Sequence, residues 1–103
     1  MKPAIVMHIV EKLAWYLRRE GIYVASCEIR ERGSKYEVYF KLESNPAGLA
    51  RVKIIMNKQS GKIRVYTGKT SFDLRVKRFI KRELERAAKG LEIASQEENK
   101  GSS

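Results

Sequence analysis

The side chains best suited to chemistry in this sequence are basic and aromatic. On a period-two reading, Glu28, Tyr39, Lys53 and Tyr66 fall in one row across a sheet. Ser26, Lys41 and Arg51 form the row on one side, and Arg30, Glu37, Ile55 and Arg64 the row on the other. Lys62 lies at the edge of that face, and Lys69 follows in a loop. Two tyrosines flanking a lysine, with cations around them, suit a single-stranded nucleic acid. Bases stack on aromatic faces at roughly 1–3 kcal/mol each, and phosphates follow the cations. A second set lies downstream, where Arg75, Arg78, Arg82, Arg86 and Lys89 step by three or four, with Lys77 and Lys81 beside them. Arginine forks bind phosphate bidentately, so this helical stripe is a candidate rail for a nucleic-acid backbone. The bland alternative for both sets is a solvated strand face and a solvated helix face.

Charge distribution weighs between these readings. The 103 residues carry 22 Lys and Arg against 12 Asp and Glu, a net charge of +10. Residues 49–70 hold six bases and no acid, and residues 71–91 hold seven bases and three acids, so this stretch carries the whole surplus. A thermophile's surface ion-pair network would mix both signs, whereas an acid-free stretch points to a polyanionic partner. Low Asn and Gln beside abundant Lys, Arg, Glu, Ile and Val still lean towards a thermophilic source.

Catalysis, by contrast, lacks its parts. Asp73 is the only Asp and fits the first turn of a helix; His8, the only His, sits on another helix at its surface or boundary. Cys27, the only Cys, is expected on the apolar face of a strand as inert packing. No nucleophile–base pair or metal-ligand set follows from these, so no enzyme, cofactor or metal is expected. Gly68-Lys69-Thr70 is like the end of a phosphate-binding loop, but Ile63 stands where that motif needs its first glycine. A local anion site at the helix start, near Lys69, Thr70 and Ser71, is what remains of it. A lone Cys suits a reducing cytoplasm, and no stretch has the length and apolarity of a bilayer span, so a cytoplasmic protein without a membrane partner is expected.

Several elements must position these groups. After Pro3, apolar residues recur at helical spacing from Ile5 to Leu17, and Gly21 ends that helix. Four strands alternate with period two, joined at Gly33-Ser34, Asn45-Pro46-Ala47-Gly48 and Lys58-Gln59-Ser60-Gly61. The registers pair Ile29 with Val38, Cys27 with Phe40, Ala25 with Leu42, Phe40 with Val52, Val38 with Ile54, and Ile54 with Val65. Every pair is apolar, and a one-residue slip would destroy this. Thr70 or Ser71 caps a last helix whose buried stripe is Phe72, Val76, Phe79, Ile80, Leu84, Ala87, Ala88 and Leu91. The expected fold is α+β, in the order α-β-β-β-β-α: a four-stranded antiparallel meander with two helices packed on one face. One domain spans residues 1–91, and residues 92–103 form a disordered tail. Ile22, Val24 and Ile55 on the open face would also allow a homodimer. Arg30 reads as a cross-strand partner of Glu37, and Lys81 as a helical partner of Glu85.

The helix-then-strands layout resembles the small archaeal Holliday-junction resolvases, which hold a divalent ion with a strand-end carboxylate and Glu-x-Lys on the next strand. Here the second strand offers Glu37 and Glu43, but the third reads Arg51-Val52-Lys53, so that metal site cannot be assembled. The layout is also similar to double-stranded-RNA-binding domains, with one strand more and, over residues 70–77, without their lysine cluster. Over residues 3–91 the chain resembles, in size, layout and basic-plus-aromatic composition, the small archaeal single-stranded-DNA-binding proteins of the ThermoDBP-related kind. That resemblance implies a cleft that takes single strands without sequence preference. The expected function is therefore non-catalytic binding of single-stranded DNA or RNA. The alternatives are a duplex or structured-RNA binder using the last helix, and a homodimeric assembly protein using the open sheet face.

Overall fold

Val6, Ile9, Leu13 and Leu17 share one helical face, and each is at most 1% exposed, which ties the first helix to the sheet. In the computed structural model the backbone is described for residues 1–101 and the side chains for residues 1–90. The elements are α1 (Pro3–Arg19), β1 (Tyr23–Arg32), β2 (Lys35–Ser44), β3 (Val52–Asn57), β4 (Ile63–Tyr66) and α2 (Thr70–Gly101). The strands form one antiparallel sheet in sequence order, with both helices on one face. This is the expected α+β meander. Leu91 and the expected tail, residues 92–103, lie outside the residues whose side chains are described.

The core lies between the helices and the inward residues of β2, β3 and β4. Val38, Ile54, Met56 and Ile63 meet Val76 and Ile80 there, each at most 2% exposed. Burying an aliphatic side chain of this size contributes roughly 1.5–3 kcal/mol. The registers of β2–β3 and β3–β4 are as expected: Phe40 faces Val52, Val38 faces Ile54 and Ile54 faces Val65.

The β1–β2 pairing departs from expectation at the end far from its turn. Ile29 faces Val38 and Cys27 faces Phe40, but Leu42 pairs with Val24, so Ala25 of β1 is left out of the ladder as a bulge and Glu43 of β2 is skipped before Tyr23 pairs with Ser44. Two phases collide here. Gly21, at φ +80°, turns the chain out of α1, and the Ile22 N–H then donates to the Leu17 carbonyl at 2.9 Å, which drives Ile22 into the core. Period two from Ile22 puts Val24 inward, whereas period two from the Gly33-Ser34 turn puts Ala25 inward. The bulge reconciles them in favour of the larger side chain. Ile22 and Val24 therefore belong to the core and not to the open face, where Ile55 alone remains of the three. Cys27 is exposed, because β1 is an edge strand and only Val24 and Ile29 of its inward side pack against the core. Partial burial raises the pKa of its thiol above the ordinary value.

On α2 the stripe begins as expected with Phe72, Val76 and Ile80, but Glu83 takes the next buried position at 5% exposure. Its carboxylate lies 3.4 Å from His8 Nε2 and 3.2 Å from Arg86, which offsets the cost of burying it.

Candidate nucleic-acid interface

Antiparallel register brings the central row together. Glu28 stands opposite Tyr39, Tyr39 opposite Lys53, and Lys53 opposite Tyr66. The Lys53 ammonium lies 5.4 Å from the Tyr39 ring centre and 5.9 Å from that of Tyr66, within cation–π range of both. The two rings are not equivalent. Tyr39 is half-buried, carries Arg30 at 5.3 Å on its ring, and donates its hydroxyl to Glu37 at 3.0 Å. Tyr66, on the outermost strand, is 40% exposed.

Acids and bases cancel on the β1–β2 side of this face. Arg30 Nε donates to Glu28 at 2.8 Å, and Arg32 lies 3.6 Å from Glu37. Arg30 and Glu37 are opposite in register, as expected, but the guanidinium turns to Glu28, whose hydrogen bond and charge raise its pKa above the usual value. On the β3–β4 side, Lys53 and Arg64 make no ion pair with any described residue.

A groove continues this basic side around the edge of the sheet. Between β4 and α2 a concavity of about 250 Å³ is lined by Arg64, Tyr66, Leu74 and Lys77. A neighbouring one of about 420 Å³ shares Arg64 and Lys77 with it and adds Lys62 and Lys81. Asp73 also lines the first of these, but its carboxylate is already occupied. It accepts the Thr67 N–H at 2.7 Å and is hydrogen-bonded by the Thr67 hydroxyl, with Thr67 fully buried. Helical spacing places Lys77 and Lys81 only as flanks of an arginine stripe; their place beside β4 depends on how α2 is rotated on the sheet.

Of the other candidate residues, Lys41 is exposed on β2 opposite Ser26, as expected, whereas Arg51 lies in the loop before β3 and outside the β2–β3 ladder. Lys69 binds the Ala47 carbonyl and so anchors the loop before β3. Beside it, a Cβ on Gly68 (φ +88°) would lie 2.8 Å from that of Ala50, so this close crossing needs glycine. Among the described residues neither Thr70 nor Ser71 makes a side-chain cap. The helix instead starts from the Lys69 carbonyl, which accepts the Asp73 N–H at 2.9 Å. With Asp73 already in that first turn, the expected anion site at the helix start meets a carboxylate of the chain's own.

The arginine stripe lies on the flank of α2 that faces α1, away from β4. Arg75 lies 3.6 Å from Glu20 at the C-cap of α1, and Arg82 and Arg86 line a groove with Lys12, Trp15 and Arg19. Arg78 is exposed. Lys81 makes no pair with Glu85 among the described residues. Among those residues, too, no cluster of three or more His, Cys, Asp or Glu could hold a metal, and no helix is long and apolar enough to cross a membrane.

No protein-family model, curated protein or solved structure matches this chain.

Proposed function

We propose that this protein binds single-stranded nucleic acid, DNA or RNA, without catalysis and with little sequence preference. One observation carries the reading: the β3–β4 side of the open face joins the exposed Tyr66 ring to Lys53 and Arg64, which have no acid partner among the described residues. In this reading a base stacks on Tyr66 while the adjoining phosphates lie against Lys53 and Arg64. The backbone then passes Lys62, Lys77 and Lys81 at the edge of the sheet. Stacking accepts every base, since each has a π-face, and phosphate contacts carry no sequence information, so low specificity follows. Tyr39, under Arg30 and tied to Glu37, supports Lys53 more than it offers a platform of its own. A lone thiol with no disulfide partner suits the cytoplasm.

The test is fluorescence anisotropy with a dT oligonucleotide and a duplex of equal length at one salt concentration. Tighter binding of the single strand is expected, with log K falling by roughly 0.7 per phosphate neutralised as log salt rises. Tighter binding of the duplex would refute the reading.

A further inference from the structure

A second basic and aromatic surface lies on the opposite side of the molecule, on the outer side of the helix layer. Two concavities there, of about 540 and 400 Å³, share Lys12, Glu83 and Arg86 and run together between α1 and α2. Trp15 stands at one end, 56% exposed, with the Arg19 guanidinium 4.9 Å from its ring centre. Tyr16 and Phe79 stack at 4.7 Å across the helix pair and join α1 to α2 at this point. Four cations, Lys12, Arg19, Arg82 and Arg86, thus surround a groove whose one lining carboxylate among the described residues, Glu83, is buried and held by His8 and Arg86. An exposed indole with a guanidinium on its face, beside a line of cations, has the parts for base stacking and phosphate contact together. Charge complementarity selects a polyanion, and the exposed aromatic selects one that carries bases.

We propose that this groove is a second nucleic-acid site that takes a separate single strand, so that one molecule bridges two strands. The ligand class rests on the reading given under Proposed function, but the site shares no residue with the β3–β4 surface. The two sites lie on opposite faces, so a strand held at one leaves the other open. The bridged product is a ternary complex of one protein and two strands.

Trp15 is the only tryptophan and stands in this groove, so its emission reports on the helix layer and not on the β3–β4 surface. The experiment titrates a dT oligonucleotide into a Lys53→Glu/Arg64→Glu variant and into a Lys12→Glu/Arg82→Glu variant. The second variant leaves the Glu83 pairs with His8 and Arg86 intact, and unchanged circular dichroism verifies that both fold. Saturable, salt-sensitive quenching is expected in the first variant. In the second, quenching is lost while anisotropy still records binding at the sheet. Energy transfer between donor- and acceptor-labelled dT strands should appear with the wild-type protein and vanish with either variant. Absence of quenching in the first variant overturns the second site, as does equal quenching by polyglutamate or by duplex alone. Quenching without energy transfer in the wild type overturns bridging. If the first variant instead binds dT as tightly as wild type by anisotropy, the sheet reading fails, and retained quenching still upholds the groove.

Discussion

The two halves of the open sheet face each carry bases and a tyrosine and differ in whether acids stand beside them. On β1–β2, Glu28 takes Arg30 and Glu37 takes Arg32 and the Tyr39 hydroxyl, so the charges cancel within a few ångströms. On β3–β4, the half-buried Lys53 and the exposed Arg64 stand beside Tyr66 with no acid partner among the described residues. Exposed ion pairs contribute little to stability, about 0–1 kcal/mol, so the β1–β2 bridges are weak reasons for the fold to exist. Their larger consequence is electrostatic. They silence one half of the face and leave the field of the other half undiluted, and in the proposed reading that field steers a polyanion to β3–β4.

Reversing the charge on the active half should break this comparison most severely. Lys53→Glu with Arg64→Glu is expected to weaken dT binding roughly a hundredfold or more at moderate salt, as read by anisotropy, with circular dichroism unchanged. The next effect separates the two tyrosines. Tyr66→Ala should cost about 1–3 kcal/mol of binding, the range for one stacked base, and Tyr39→Ala distinctly less, because Arg30 and Lys53 already cover that ring. Equal losses would mean that both rings are platforms. The smallest effect sits on the silent half. Glu28→Gln with Glu37→Gln frees Arg30 and Arg32 and should tighten dT binding by about twofold to threefold through added field alone. The unfolding midpoint should stay where it was, and weaker binding would show that the carboxylates contribute to the site.

Much of this arrangement can be read from the sequence, for identifiable reasons. Period-two alternation and glycine turns fix the registers of β2, β3 and β4, so the row Tyr39–Lys53–Tyr66 follows by arithmetic. The bulge at Val24–Ala25 does not follow so simply. It arises where the phase set by Ile22 meets the phase set by the β1–β2 turn, and either phase alone looks consistent. The exposure of Cys27 escapes the pattern because alternation says which way a residue points and not whether a helix covers it. Helical spacing finds the buried stripe of α2 but not which flank meets β4 and which meets α1. For that reason Lys77 and Lys81, and not the arginines, prove to adjoin the sheet's basic edge. Glu83 escapes because its burial depends on His8, seventy-five residues earlier in the chain.

The most direct test of the β3–β4 surface is a chemical-shift map. Amide resonances of the isotopically labelled protein would be followed while a dT oligonucleotide is added to saturation. The account predicts the largest shifts at Lys53, Arg64, Tyr66 and Lys77, with Glu28, Arg30 and Glu37 nearly still. Saturation with Lys53, Arg64 and Tyr66 unmoved would contradict it.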